Sequence, residues 1–304
     1  MLLNGKPVFL RGVGKHEDFP IIGKGMNLSV ILRDFSLLKW LHANTFRCVH
    51  YPYAEEMLYL ADKKGLLVID EIPAVSLSPL HITERTESLH RQMLQDMYHR
   101  DKNHPSVILW CVANEPVLQG PASDIEKAAQ IADAYFGRIC RFMRQLDTTR
   151  PVTLALHPSP FESILRHCDV ISLNRYYGWY SIPGRIDKAC EELDNVLESC
   201  RQSFGKAILI SEFGADSMVG LHAEPPELFT EEYQAELLKE QMKVIERKPY
   251  TVGELIWAFS DFKTAQHHRR VVLNRKGLFT REREPKMAAH TVRQMWKKKD
   301  LYQR

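Results

Sequence analysis

Short, continuous apolar runs punctuate this chain, and between most of them lies a stretch with helical spacing. Leu66-Leu67-Val68-Ile69 and Val107-Ile108-Leu109-Trp110-Cys111-Val112 are apolar at every position, the habit of strands covered on both faces in a parallel sheet. Strands are predicted over 8–13, 44–49, 66–69, 107–112, 151–156, 170–173, 207–210 and 252–257. Over 28–43, Leu28, Ile31, Leu32, Phe35, Leu38 and Leu41 fall on one side of a helix. Further helices are predicted over 54–64, 84–102, 124–146, 187–204, 230–247 and 285–297. Gly65 is placed to stop the second helix, and Asp124 and Thr230 stand at helix starts. Pro285 suits a first turn. Strands alternating with helices mean a parallel sheet, and eight such units in this length predict one α/β domain, a closed (β/α)8 TIM barrel over 1–304. No Gly-x-Gly-x-x-Gly follows the first strand, which argues against a dinucleotide fold.

Composition changes this picture little. Hydrophobic residues make up 44% and charged residues 26%, a globular balance. A net charge of +3 gives no reason to expect a nucleic-acid partner. No apolar stretch is long enough to span a membrane, and the N-terminus lacks the pattern of a secretion signal; the compartment stays open, cytoplasmic only if the chain is expressed as given. Cys48, Cys111, Cys140, Cys168, Cys190 and Cys200 lack metal or redox spacing and are expected to be free thiols.

In such a barrel the chemistry gathers at the C-terminal ends of the strands. Each apolar run ends there in polar or aromatic groups, among them His16 and Asp18, Arg47 and His50, Asp70 and Glu71, Asn174 and Tyr176, and Trp257. Two carboxylates stand out because they close strands otherwise free of charge: Glu115 in Asn114-Glu115-Pro116 and Glu212 in Ser211-Glu212-Phe213-Gly214. Two carboxylates across a pocket are what glycosidic cleavage needs, one to protonate the leaving oxygen and one to attack or to activate water. A strand-end glutamate also serves as an ion-pair partner, and Asp70 and Glu71 are candidates for holding Arg47 or Arg11. No cluster with metal-ligand spacing is evident, and neither metal nor cofactor is expected.

Asn114-Glu115-Pro116 after the fourth strand and Ser211-Glu212-Phe213-Gly214 after the seventh resemble the retaining glycosidases. With His50-Tyr51-Pro52, Lys15-His16-Glu17-Asp18 and Asn174-Arg175-Tyr176-Tyr177-Gly178-Trp179-Tyr180, the chain resembles glycoside hydrolase family 2, and within it the β-glucuronidase catalytic barrel, over nearly its whole length. The resemblance implies double displacement on terminal β-D-glucuronides, with Glu115 as acid/base, Glu212 as nucleophile, Tyr176 beside it, and carboxyls about 5–5.5 Å apart. It also implies opposite tuning, with Glu115 titrating high and Tyr176 helping to hold Glu212 ionised. Asn274-Arg275-Lys276 is similar to the family element that holds the sugar carboxylate, with Arg270 on the same rim and Arg275 pointing elsewhere. Asn114 is implied at the sugar 2-hydroxyl. His16, Asp18, Asn174, Tyr180 and Trp257 are implied in the sugar pocket, and His50 a little behind its rim.

The family's N-terminal β-sandwich and immunoglobulin-like domains are not in this sequence, so an excised or engineered barrel is expected. The segment 72–86 is short, which predicts an open site tolerant of glycan as well as small aglycones. The competing readings are a β-galactosidase or β-mannosidase of the same family, and a barrel scaffold with little activity. Oligomeric state is open.

Overall fold

The computed structural model describes residues 1–297 and 299; Lys298, within the basic run near the C-terminus, lies outside the described residues. Eight parallel strands close into a barrel in chain order. They are β1 (Leu10–Lys15), β2 (Thr45–Cys48), β3 (Leu67–Glu71), β4 (Val107–Asn114), β5 (Val152–Leu156), β6 (Ile171–Asn174), β7 (Ile208–Phe213) and β8 (Thr251–Trp257). The helices between and after them are α1 (Leu28–Leu41), α2 (Glu55–Lys64), α3 (Glu84–Asp101), α4 (Ile125–Leu146), α5 (Ile186–Phe204), α6 (Glu231–Glu246) and α7 (Met287–Trp296). The expected TIM barrel is the fold, and the six cysteines are free thiols. Among the described residues no helix is long and apolar enough to cross a membrane.

Local chemistry sets the element ends. Gly65 takes the left-handed conformation that closes α2, and the Thr230 side chain accepts the Tyr233 N–H at the start of α6. Asp124 precedes α4 without a side-chain cap, and α7 begins at Met287, two residues after Pro285. Two short hairpins escape the sequence reading. Leu2–Leu3 pairs with Lys6–Pro7, and Phe262–Lys263 pairs with Leu273–Asn274. Two-residue strands carry too little period for a pattern to show.

Alternation along each strand divides the apolar residues into two populations. Phe46, Cys48, Val68, Trp110, Val112, Leu154, Leu156, Ile171, Leu173, Ile208, Ile210 and Ile256 pack with the helices. Leu10, Leu67, Ile69, Leu109, Cys111, Leu209 and Leu255 form a separate cluster inside the barrel. The inward column then turns polar toward the C-terminal end, as Leu67 and Ile69 give way to Glu71, and Leu209 to Ser211. The packed lower barrel thus forms a floor, and the polar layer above it is the site. Two glycines of β1 keep its neighbouring strands close, one at the level of the floor and one above it. A Cβ on Gly12 would meet the Thr45 carbonyl oxygen at 2.2 Å, and one on Gly14 would press the Trp257 ring at 3.0 Å.

Candidate active site

Glu115 and Glu212 reach the pocket through irregularities in their strands. Between Cys111 and Asn114, β4 carries one residue more than β5 opposite it. Between Ile210 and Glu212, β7 carries one residue more than β6, and it gains one against β8 over Ile210 to Phe213. An extra residue bends a strand and re-aims its side chains. Here it lets Ser211 and Glu212, neighbours of opposite parity, both serve the interior layer. Glu115 itself has φ 49°, an uncommon conformation for a residue with a Cβ that costs on the order of 1–3 kcal/mol.

The two glutamates are joined by one network of polar side chains. Arg47 is its hub. Its Nε donates to Glu71 Oε2 at 2.6 Å, its Nη1 to Glu212 Oε1 at 2.9 Å and its Nη2 to Asn114 Oδ1 at 2.9 Å. Asn174 Nδ2 donates to Glu115 Oε1 at 2.7 Å and to Asn114 Oδ1 at 3.1 Å, and the Ser211 hydroxyl fixes that amide by donating to Asn174 Oδ1 at 2.8 Å. The Tyr176 hydroxyl donates to Glu212 Oε2 at 2.6 Å. Both Glu212 oxygens are therefore held. His50 Nδ1 pairs with Glu71 Oε1 at 2.8 Å, while its Nε2 lies 3.9 Å from Glu212 Oε1.

Electrostatics follow from this layout. Burial pushes the Glu212 carboxyl up to about 7; Arg47 pulls it back, nearby Glu115 adds to the rise, and His50 and the Tyr176 hydroxyl oppose it. The expectation that the tyrosine bond holds Glu212 ionised thus gives only part of the balance, because burial outweighs it. Burial alone would also raise Glu71, but Arg47 and His50 overcome it and hold that carboxyl at about 2. Burial raises the Tyr176 phenol well above its usual value, so it stays a donor. Breaking the Arg47–Glu71 pair leaves a guanidinium out of water with less counter-charge. Glu71→Ala is expected to lower stability by about 3–5 kcal/mol, read by urea unfolding.

The sequence-derived residues divide by position. His50, Asn114, Glu115, Tyr176, Tyr180, Glu212, Trp257, Arg270 and Asn274 line one pocket of about 440 Å3. Trp257 stacks on His50, with centroids 5.2 Å apart and planes 13° apart, which brings His50 to the lining, not behind it. Asn174 lies beneath as a support for Glu115. His16 and Asp18, expected in the lining, stand outside it. His16 packs edge-on against both Trp257 and His50, and burial, with His50, Lys24 and Lys15, lowers its imidazole to about 3, so it is neutral. The Asp18 carboxylate is taken by Arg281, at 2.8 and 2.9 Å, and by the Lys263 N–H. Lys276 is also outside the lining: it is fully buried and paired with Asp216 at 2.8 Å.

Arg275 turns to the Val271 carbonyl, away from the pocket, as expected. Of the two acids considered for Arg47, Glu71 holds it. Sequence reasoning listed Arg47 at a strand end but missed its role as hub, and it missed Asp216 altogether. The signal for Arg47 was its standing as the lone charge in β2. Val75, His157, Pro158, Tyr177 and Ser181 complete the lining, Val75 from the short segment after β3.

This geometry accompanies a family match over almost the entire chain. The profile for glycosyl hydrolases family 2, TIM barrel domain, matches residues 1–300. The chain belongs to that family. As a family 2 barrel it has named relatives on both sides of the bacterial–animal divide. It is 42% identical over 309 residues to a β-glucuronidase of Paenibacillus borealis, covering 97% of this chain and 50% of the relative. It is 42% identical over 301 residues to the Homo sapiens β-glucuronidase, covering 97% and 45%. Among solved structures, it superposes on an uncultured Clostridium β-glucuronidase with TM-score 0.92 at 42% identity, covering 98% of this chain and 52% of the other. On the Bifidobacterium dentium β-glucuronidase complexed with coumarin-3-O-glucuronide the TM-score is 0.93 at 40% identity, covering 99% and 48%. The chain spans about half the length of the curated relatives it matches.

Proposed function

We propose that this barrel is a retaining β-glucuronidase acting on terminal β-D-glucuronides. The observation that carries the reading is the pairing, in one pocket, of Glu115 and Glu212 with a cationic corner built from Arg270 and Asn274 and backed by Lys276. A uronate differs from galactose or mannose in the charge at C6, and charge-assisted hydrogen bonds are the stronger kind. The relatives named above, all β-glucuronidases, support the same reading.

In the proposed double displacement, Glu212 attacks the anomeric carbon while protonated Glu115 gives its proton to the departing oxygen. Water then adds to the glucuronyl-enzyme with Glu115 as base, and Glu212 leaves. Arg47 and Tyr176 place the attacking carboxylate and disperse its charge. Two donors already occupy Asn114 Oδ1, which leaves its amide nitrogen for the sugar 2-hydroxyl.

Selectivity tests this reading against a β-galactosidase or β-mannosidase. The kcat/KM for nitrophenyl β-D-glucuronide is expected to exceed that for the β-D-galactoside and β-D-mannoside by about 10²–10⁴-fold, the worth of one or two charge-assisted bonds. Equal or higher turnover of a neutral glycoside would move the assignment to those enzymes, and no turnover of any by a folded chain would favour the scaffold reading.

The pH dependence follows from Glu212. Only the ionised carboxylate attacks, so kcat/KM rises with pH through about 7, where that group titrates in the free protein. Tyr176→Phe removes a hydrogen bond to the charged form and is expected to move this limb upward. A kcat/KM profile of wild type and variant reads both effects.

A further inference from the structure

One stretch of the pocket lining takes no part in the network around the two glutamates or in the cationic corner. Val75, His157, Pro158, Tyr177 and Ser181 belong to it. Barrel order places it. The strand that carries Glu115, β4, is flanked by β3 and β5 and stands four strands from β8, whose following loop holds Arg270 and Asn274. On the β3 side Val75 pairs with Asn114, fixed by the Asn114 N–H to the Ala74 carbonyl and the Ser76 N–H to the Asn114 carbonyl, each at 2.9 Å. On the β5 side the Glu115 N–H donates at 2.9 Å to the carbonyl of Ala155, two residues before His157. Val75 and His157-Pro158 thus stand on either side of Glu115. Val75 is 40% exposed and Pro158 is exposed, so two apolar faces border the slot.

His157 is half-buried, and its Nδ1 is enclosed with no hydrogen-bond partner among the described residues. A neutral imidazole has one N–H, and an enclosed N–H without an acceptor is the costlier orphan, so the proton belongs on Nε2. The open edge of the ring then offers the pocket a donor.

We propose that this wall is an aglycone subsite for a flat aromatic group carrying a hydrogen-bond acceptor at its far end, and that His157 sets that preference through its Nε2–H. This rests on the reading of the pocket as a retaining glucuronidase site with Glu115 as the acid. The acid must reach the glycosidic oxygen, so the group hanging from that oxygen falls between Val75 and His157. An aryl ring packs on two apolar faces, whereas a sugar there would leave hydroxyls against Val75 and Pro158 without partners. His157 stands two residues beyond Ala155, up to about 7 Å further toward the mouth, which is the reach of a benzene ring with a para substituent. From the loop after β6, Tyr177 and Ser181 close the slot, tied by the Gly178 N–H to the Ser181 carbonyl at 2.8 Å.

The test is His157→Phe beside His157→Gln, whose side-chain amide carries a donor to the place of Nε2. The reading is the ratio of kcat/KM for 4-nitrophenyl β-D-glucuronide to that for phenyl β-D-glucuronide, which has no para acceptor. In His157→Phe this ratio is expected to fall about three- to tenfold, the worth of one neutral hydrogen bond, and in His157→Gln to recover. Damage to Glu115 would move the ratio the other way, because phenol, the poorer leaving group, needs its proton more. Affinity for D-glucuronate, which has no aglycone, is expected to be unchanged by calorimetric titration, whereas a merely structural role would move it. A ratio that His157→Phe leaves unchanged or raises, a ratio that His157→Gln lowers as far, or a weaker grip on glucuronate would overturn the proposal.

The slot meets the aglycone and not the sugar, so the same ratio read on the two aryl β-D-galactosides separates this inference from the glucuronide reading. A fall there in His157→Phe upholds the subsite even if glucuronides are poor substrates. If no glycoside turns over, the affinities of the two aryl 1-thio-β-D-glucuronides give the ratio, and a wild type that binds both equally overturns the proposal.

Discussion

Glu212→Gln is expected to lower kcat on nitrophenyl β-D-glucuronide by at least about 10⁴-fold, a barrier increase of about 5 kcal/mol, because no second nucleophile can take its place. Both oxygens of this carboxylate are fixed, one by Arg47 and one by Tyr176, so the attacking atom is oriented before substrate arrives. The amide is nearly isosteric but cannot form the glycosyl ester. The fold is expected to survive the change. Burial lifts the Glu212 carboxyl from its ordinary 4.5 to about 7, so between those values the folded chain holds the proton that the unfolded chain has released. Stability therefore falls as pH rises through that window and stays lower above it. Removing this carboxylate relieves that cost at pH 8, while Arg47 keeps Glu71 as its partner. Circular dichroism beside the rate assay separates lost chemistry from lost structure.

Glu115→Gln is expected to give the second largest loss, and one that depends on the leaving group. General acid catalysis contributes about 10²–10⁴-fold, and a poor leaving group needs all of it. A dinitrophenolate needs no proton to depart. For its glucuronide the first step is expected to survive, and release of the glucuronyl group, which needs Glu115 as base, becomes limiting. A burst of dinitrophenolate followed by a slow steady state is the expected trace. A uniform loss across leaving groups with no burst would remove Glu115 from the acid/base role. The positive φ at Glu115 fits that role, since a strained backbone at this position persists only where its surroundings hold it.

The barrel was legible because its signal is periodic. Runs such as 66–69 and 107–112 are apolar on both faces, and only a sheet covered by helices outside and packed within satisfies that pattern. The strand-end carboxylates were legible for the same reason, as charges interrupting apolar runs. What escaped has no period. The extra residues in β4 and β7 are properties of register between strands, and a single strand carries no trace of them. The roles of Arg47 and Asp216 depend on partners far away in sequence, 165 positions for Arg47 to Glu212 and 60 for Asp216 to Lys276. His16 and Asp18 sit at a strand end like the others, yet the hairpin Phe262–Lys263/Leu273–Asn274, too short to foresee, draws Asp18 to the Lys263 N–H and away from the pocket.

The most direct test of the account is the anomer of glucuronate released first, followed by proton NMR during hydrolysis of nitrophenyl β-D-glucuronide. Double displacement through Glu212 predicts that the β-anomer forms first and mutarotates afterwards. Appearance of the α-anomer first, or no glucuronate from a folded chain, would contradict it.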